Sequence, residues 1–295
     1  MVARESLELV QGSKRARRAS PAVRRTARGV LFTGALVAIG LAMALPFLWM
    51  ITSSFKPMRE IFAYPPTLWP QSPTLDNYVT AFGRTPVARW FLNSAIVTGS
   101  ITLSNVLADA MAAYAFARLR FPGKDVVFVL LLVTLMIPFH LTLVPLFLIL
   151  RSLGLLNSLA GVIAPGLASI LGVFLLRGFF ADIPLELEEA ARVDGAGEFQ
   201  IFWRVAMPLA RPALATVAII VFVQSWGEFL LPLLVLNDRS AFTLPLGIRM
   251  FQGEYSTEWG QLMAVTFLAD LPILVLFLML QRHFIHGLTQ GALKA

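Results

Sequence analysis

Three carboxyl groups stand alone inside long apolar runs of the sequence: Asp109, Glu228 and Asp270. An ionised carboxylate at the centre of a bilayer costs about 2.5–3.5 kcal/mol on insertion scales, so each must face other protein, find a partner or take up a proton. Glu228, with Gln224 one helical turn earlier, and Asp270 are therefore candidates for a solute pathway or a gate. The competing interpretation is a hydrogen bond between helices, which polar side chains often make inside membranes.

The residues that enzymes need are missing from the sequence. There is no cysteine, which excludes disulfides, cysteine-bound metals and a thiol nucleophile. Neither G-x-x-x-x-G-K-[ST], the phosphate-binding loop, nor the zinc motif H-E-x-x-H occurs. His283 and His286 have the spacing of a ligand pair but no third ligand nearby. The sequence thus predicts no catalytic residue, no metal site and no cofactor in this chain.

A charged, helix-forming segment at 184–208 lies between two apolar runs. Pro184 suits the start of a helix, and the glutamates that follow complement the helix dipole. Gly195 can take a positive φ and so permits a sharp corner, after which a second helix is predicted from Ala196 to Met207. The segment is either a solvated hairpin or, since it carries large apolar residues such as Phe199 and Trp203, a docking site for another protein.

The composition predicts an integral membrane protein. Of the 295 residues, 57% are hydrophobic and 14% charged, whereas an average soluble domain has about 25% charged residues. Mean hydropathy is +0.75. We predict an all-α fold with six membrane-spanning helices, because six apolar runs have the length of about 20 residues or more that a bilayer requires. The predicted spans are Val30–Ile51, Trp90–Ala117, Val126–Leu150, Ser158–Leu176, Ala213–Asn237 and Gly260–Gln281.

The distribution of basic residues predicts the orientation. Residues 1–28 form a basic arm, and the loops on the same side of the predicted spans carry most of the remaining arginines and lysines. Basic loops stay in the cytoplasm, so both termini are predicted to be cytoplasmic and the linker 52–89 external. The expected division is an arm at 1–28, a permease domain at 29–289 that contains the loop 184–208, and a tail at 290–295. Nucleic-acid binding by the basic arm is the less favoured alternative.

The stretch "EAARVDGAGEFQIFWRVAMP" resembles the EAA loop of ABC-importer permeases. That pattern is E-A-A, three residues, G, nine residues, then I-x-L-P. Glu189, Ala190, Ala191, Gly195 and Pro208 match it at the required spacing, and Asp194 agrees with the common "DGA". The stretches "FLNSAIVTGS", "AAYAFARLRFPGK" and "WGEFLLPLLVL" are similar to the carbohydrate branch of these permeases, above all to the smaller permease subunit of maltose-type systems.

The resemblance implies a subunit of an ATP-driven sugar importer in a bacterial or archaeal inner membrane. Its partners would be a second, longer permease, two cytoplasmic ATPase subunits that bind ATP and Mg, and an external solute-binding protein. The loop would dock into an ATPase cleft and move the spans between inward and outward states. The residues implied in coupling are Glu189, Ala190, Ala191, Asp194, Gly195 and Pro208.

Two other functions stay open at this point. The solute of such an importer could be a polyol or glycerol phosphate instead of a di- or oligosaccharide. A secondary transporter driven by protons through Glu228 or Asp270 is the alternative of a different class. It is less favoured because such proteins need no EAA loop and often show paired broken helices or repeats.

Overall fold

The computed structural model describes the backbone of residues 21–253 and 256–292, and the side chains of residue 29, residues 32–253 and residues 256–279. The chain divides into two units, residues 1–52 and 53–295. In the first unit the described residues form one helix, α1 (Pro21–Ser54), which extends into the second unit by its last two residues. Its segment Phe32–Ser54 is long and apolar enough to cross a membrane.

The described residues contain helices and no β-strand. Numbered along the chain after α1, the helices are α2 (Met58–Ile61), α3 (Asp76–Arg84), α4 (Val87–Arg118), α5 (Lys124–Thr134), α6 (Phe139–Ser152), α7 (Leu159–Ile163), α8 (Ile170–Asp182), α9 (Leu185–Val193), α10 (Glu198–Ile201), α11 (Met207–Leu209), α12 (Arg211–Trp226), α13 (Leu230–Val235), α14 (Leu244–Ile248) and α15 (Trp259–Ala292). Short 3₁₀ turns follow α7, α13 and α14, and a π-helical turn, Phe202–Ala206, joins α10 to α11.

A buried glutamate orders the segment between α2 and α3. The Glu60 carboxylate accepts backbone hydrogen bonds from Gln71 at 2.6 Å and from Ser72 at 3.3 Å. These bonds favour the ionised form, so they hold the pKa of Glu60 below its ordinary value. The Asn77 amide donates to the carbonyls of Ser54 and Lys56, both at 2.8 Å. Side chains therefore replace the backbone pairing that this irregular segment lacks.

Helix α4 is central to the packing of the second unit. It contacts α8 and α12, and α12 also contacts α15. At its amino-terminal end the buried indole of Trp90 donates to the carbonyl of Arg239 at 2.7 Å. The Asn93 amide donates to the carbonyls of Ser240 and Phe242, both at 2.9 Å. These bonds attach α4 to the irregular chain between α13 and α14, whose carbonyls would otherwise lack partners.

Four of the six predicted spans correspond to apolar segments long enough to cross a bilayer: Phe32–Ser54, Val87–Arg118, Leu159–Asp182 and Trp259–Met279. The third predicted span is two helices, α5 and α6, bent by 99° at a break that ends on Pro138. A proline has no N–H to donate and restricts the residue before it, which explains why α5 does not continue. The described part of the chain thus holds six spans only if each bent pair counts as one.

The prediction of a continuous fifth span at Ala213–Asn237 was wrong. Helix α12 ends at Trp226, and a new helix, α13, begins only at Leu230. At about 1.5 Å per residue α12 measures about 24 Å, shorter than the hydrocarbon core of about 30 Å. The helical segment Glu198–Leu209 precedes it across a bend of 78°.

Candidate functional site

The predicted coupling loop, residues 184–208, turns its corner at Gly195. Gly195 has a φ of 85°, which confirms the expected positive φ. Its N–H donates to the carbonyl of Arg192 at 3.0 Å, and the N–H of Ala196 donates to the carbonyl of Ala191 at 2.9 Å. These two bonds form the Schellman motif that ends many helices at a glycine. The corner is therefore closed by two backbone hydrogen bonds.

The second arm of the loop differs from the prediction of a helix over Ala196–Met207. It begins at Glu198, after Gly197, and continues through the π-helical turn to Leu209. Pro208 lies inside this last turn and does not end the arm before it. A proline ring crowds the carbonyl four residues earlier in an α-helix. We attribute the wider π-helical turn directly before Met207 to relief of that crowding.

The residues of the EAA pattern lie at the surface of the chain. Glu189 and Ala190 are exposed on α9, and Ala191 is half-buried against the core beneath it. Asp194 and Gly195 are exposed at the corner, as is Pro208 on α11. The structure thus brings the first five predicted coupling residues together on one helix and its corner. Pro208 lies on the other arm.

Large apolar side chains surround this corner without cover from the chain itself. Val193, at the end of α9, is 88% exposed, and Phe199, at the start of α10, is 72% exposed. Trp203 stacks edge-on against Phe199, with ring centroids 6.1 Å apart. Leu185 and Leu187 are also exposed on α9. An apolar cluster of this kind on a polar loop is typical of a protein-binding surface.

A group of polar side chains, which the sequence pattern does not single out, joins the loop to α4. The carboxylate of Glu188 is buried, and its Oε1 lies 3.0 Å from Nε of Arg118 on α4. The contact is an ion pair without the alignment of a hydrogen bond. A guanidinium of Arg192 lies 3.6 Å from Oε2 of Glu188 and 3.0 Å from Oε1 of Glu198. Burial raises the pKa of the Glu188 carboxyl, against the opposing effect of the two arginines.

A cavity of about 340 Å³ lies between α4, α12 and the chain around α7 and α13. Its size falls within the range of about 300–1,000 Å³ that small-molecule sites occupy. The polar residues that line it are Asn105, Ser169, Gln224, Ser225, Glu228 and Thr243. Gln224 and Glu228, two of the three predicted pathway residues, therefore share one cavity. Among the described lining residues there is no lysine, arginine or histidine.

Glu228 caps the start of a helix, a role that its position in the sequence does not indicate. It was predicted to lie within a continuous helix, but it stands in the break between α12 and α13. Its Oε1 accepts hydrogen bonds from the N–H groups of Leu230 at 2.8 Å and Leu231 at 3.1 Å. The carboxylate thus satisfies two of the donors that the start of a helix leaves unpaired. This capping explains how a carboxylate can be placed among apolar helices.

The sequence matches one family model over residues 105–290, described as the binding-protein-dependent transport system inner membrane component. The chain belongs to this family. It is therefore a multi-pass permease of an inner membrane, and the predicted resemblance to ABC-importer permeases is confirmed.

Individual permeases support the same assignment. The chain is 36% identical to the arabinooligosaccharides transport system permease protein AraQ of Halalkalibacterium halodurans, over 90% of this chain and 96% of that one. It is 34% identical to the sn-glycerol-3-phosphate transport system permease protein UgpE of Escherichia coli O1:K1, over 88% and 96%. Its fold is similar to a chain of a bacterial ABC transporter that imports the acidic polysaccharide alginate, with a TM-score of 0.80, 21% identity, and coverage of 90% and 99%.

The other two isolated carboxyl groups of the permease are placed differently from Glu228. Asp270, the third predicted pathway residue, is half-buried on α15 and does not line the cavity. Asp109 is fully buried on α4, where its Oδ1 accepts the N–H of Ser169 at 2.9 Å. Ser169 is the N-cap of α8, so Asp109 attaches α4 to the start of that helix. A Cβ at Gly172 would lie 2.1 Å from Oδ2 of Asp109, which explains the glycine.

One signal in the sequence could have identified part of the polar group that joins the loop to α4. Glu188 and Arg192 are four residues apart, the spacing at which a glutamate and an arginine meet on a helix. Arg118 contributes to the basic bias that predicts orientation, and nothing local connects it to Glu188, seventy residues later. That contact needs the packing of α9 against the end of α4. His283 and His286 lie beyond the described side chains.

Proposed function

We propose that this chain is the smaller permease subunit of an ABC importer for a neutral di- or oligosaccharide. The loop 184–208 would dock into a cytoplasmic ATPase subunit, and the cavity at Gln224 and Glu228 would form part of the solute path. A longer permease, two ATPase subunits and an external binding protein would complete the assembly. ATP and Mg would be bound by the ATPase subunits, since this sequence has no phosphate-binding loop.

The observation that carries the proposal is the form of the loop. A backbone-closed corner holds two short arms, and exposed Val193 and Phe199 flank it. A rigid apolar surface loses little conformational entropy on binding, which favours tight docking. Rigidity also suits a joint that must transmit displacement, because alternating access moves helices as rigid bodies. Docking in the cytoplasm requires the predicted orientation, with both termini on that side.

The chemistry of the cavity supports a neutral, hydroxyl-rich solute. Its lining offers an amide at Gln224, a carboxylate at Glu228 and hydroxyls at Ser225 and Thr243. Amides, hydroxyls and carboxylates can all exchange hydrogen bonds with sugar hydroxyls. The relative AraQ is named for arabinooligosaccharides, which are neutral sugars of this kind.

Glycerol phosphate is the second candidate solute, because UgpE is named for it. A phosphate is recognised best by arginine, lysine or backbone N–H groups. The described lining of the cavity has no basic side chain and contains the carboxylate of Glu228, which disfavours an anionic solute.

Two experiments test the proposal. In the first, Phe199→Ser is purified with its neighbouring subunits beside Leu92→Ser, which alters an exposed leucine on α4. We expect the ATPase to be lost from Phe199→Ser and retained by Leu92→Ser. Retention of the ATPase by both variants would contradict docking through the loop.

In the second experiment the complete importer is reconstituted in vesicles and supplied with its binding protein. We expect ATP-dependent uptake of a neutral oligosaccharide and no uptake of glycerol 3-phosphate. Uptake driven by a proton gradient without ATP would favour a secondary transporter and refute the importer.

A further inference from the structure

Tyr114 and Arg118 lie one helical turn apart near the carboxyl-terminal end of α4. Residues four apart on a helix share a face. Both side chains are largely buried beneath the loop 184–208. Each contacts a different arm of that loop, so this face of α4 supports the loop at two points.

The first arm is held by Arg118. Its guanidinium forms the 3.0 Å ion pair with Glu188, which is 1% exposed, and it also donates to the carbonyl of Ile183 just before the loop. Two charges removed from water attract each other far more strongly than charges on the surface. A buried pair also resists separation, since parting leaves each charge without a partner in a poorly solvated place.

The second arm is held by Tyr114. Its hydroxyl donates to Oε2 of Glu198 at 3.3 Å, and its ring packs against Phe202 with centroids 5.3 Å apart. Arg192 connects the two arms, because it lies near both Glu188 and Glu198. The five side chains Tyr114, Arg118, Glu188, Arg192 and Glu198 form one connected cluster, which we call the α4 clamp.

The same helix reaches the cavity at its middle. Val97, Ile101 and Asn105 of α4 line the cavity. Asn105 is 13 residues before Arg118, which at 1.5 Å per residue places the clamp about 20 Å along a continuous helix from the cavity wall. A displacement applied at the clamp therefore reaches the cavity without crossing a helix break.

The covalent connection of the loop through α12 is less direct. On this carboxyl-terminal side the loop joins α12 across the 78° bend at Ala210, and α12 itself stops at the break that contains Glu228. On the other side the loop joins α8, a continuous helix whose N-cap Ser169 also lines the cavity. Helix α4 packs along α8, so the two helices together form the continuous path from the loop to the cavity.

We propose that the α4 clamp makes the loop and α4 move as one body, so that α4 carries the movement of the ATPase to the cavity. This inference rests on the proposed docking of the loop, but the clamp and the docking surface have different roles. Three members of the clamp, Tyr114, Arg118 and Glu188, lie on the side of the loop that faces its own chain. Arg118, Glu188 and Tyr114 are positioning residues in this scheme, and the exposed residues of the loop make the contact with the ATPase.

A charge exchange in the purified complex tests the ion pair. Arg118→Glu and Glu188→Arg each place like charges in contact, whereas the double variant restores opposite charges. Arg120→Glu, an exposed arginine two residues away, is the control. We expect each single variant to retain the ATPase and hydrolyse ATP but to lose uptake by about tenfold, a loss within the range of internal coupling contacts. The double variant should regain most of the uptake, and the control should keep it.

Loss of the ATPase from the single variants would mean that the pair only shapes the docking surface, and would overturn the clamp. Normal uptake in both single variants would overturn it as well. Failure of the proposed docking would appear separately, as retention of the ATPase by Phe199→Ser.

A milder variant, Tyr114→Phe, removes the hydrogen bond to Glu198 and keeps the aromatic ring. It should reduce uptake by about twofold without loss of folding.

A distance measurement tests the single-body movement directly. The chain has no cysteine of its own, so cysteines introduced by Leu103→Cys on α4 and Glu186→Cys on α9 carry the only spin labels in this subunit. Both positions are exposed. In the unaltered complex we expect the distance between these labels to be the same with and without a non-hydrolysable ATP analogue. In Arg118→Gln the distance should change when the analogue binds. A change of that distance in the unaltered complex would refute the clamp.

Discussion

Two of the helix interruptions in the described part of the permease are closed in different ways. At Gly195 the chain turns on two backbone hydrogen bonds, with the ion pair of Arg192 and Glu198 as an exposed side-chain contact between the arms, and a Cβ there would meet nothing within 4 Å. Between α12 and α13 the interruption is closed by a side chain, the carboxylate of Glu228, which bonds to two backbone N–H groups. The first break is at the exposed corner of the loop, and the second is at the wall of the cavity.

This difference determines what each break tolerates. A corner with φ of 85° depends on the absence of a side chain at one residue, whatever its neighbours are. A capped break depends on an acceptor oxygen in the right place, which more than one residue type can supply. The break suited to transmitting movement is therefore fixed by backbone geometry. The break that faces the proposed solute path is fixed by a polar group that a solute could also contact.

The largest expected effect comes from Gly195→Ser. A residue other than glycine in the left-handed region costs about 1–2 kcal/mol, so the corner should open or shift and uptake should fall by about tenfold or more. Gly197→Ser is the matched control, because Gly197 has a φ of −77° in open space and serine is a favourable N-cap for α10. We expect normal uptake from the control. Equal uptake by the two variants would show that the corner is not needed for coupling.

A smaller effect is expected from removal of the cap at Glu228. Glu228→Ala leaves two N–H groups at the start of α13 without their acceptor, which should cost about 0.5–2 kcal/mol and reduce the thermal stability of the purified complex. Glu228→Gln retains an acceptor oxygen and should keep that stability. Uptake measured on both variants separates capping from charge. If Glu228→Gln is stable but inactive, the charge itself is required in the solute path.

The start of α8 should be sensitive to the size of the side chain at residue 172. Gly172→Ala places a methyl group against the buried carboxylate of Asp109 and should destabilise the protein by about 1–3 kcal/mol, as overpacking does. Gly178→Ala, on the same helix in open space, should be neutral or slightly stabilising. Melting temperatures of the two purified variants provide the comparison. A normal melting temperature for Gly172→Ala would show that Asp109 moves aside freely.

The smallest effect is expected at Asp270. Its carboxyl neither lines the cavity nor accepts a described backbone bond at a helix start, so Asp270→Asn should leave uptake and stability nearly unchanged. Uptake by vesicles at neutral and acidic pH is the appropriate measurement. A strong loss of uptake would return Asp270 to the solute pathway and would extend the functional region beyond the two breaks.

Local pattern explains what the sequence could predict. The apolar runs, the EAA spacing and the corner at Gly195 depend on neighbouring residues, and each can be recognised within a short window. The break after Trp226 was missed because a glutamate within an apolar run gives no sign of which backbone groups it will bond. The pairing of Arg118 with Glu188 was missed because it joins distant parts of the chain, and pattern carries no information about such contacts.

The Schellman corner determines which residues of the loop can vary in evolution or be replaced by design. Since its shape is encoded by a few backbone hydrogen bonds and one glycine, the outward residues Val193 and Phe199 are free to vary without refolding the corner. Substitutions at these outward residues can then change which ATPase is bound while the backbone of the corner stays the same. A graft that carries the outer surface of another permease loop onto residues 185–203, with Gly195 and the clamp residues Glu188, Arg192 and Glu198 retained, should change which ATPase is bound and leave the transported solute the same.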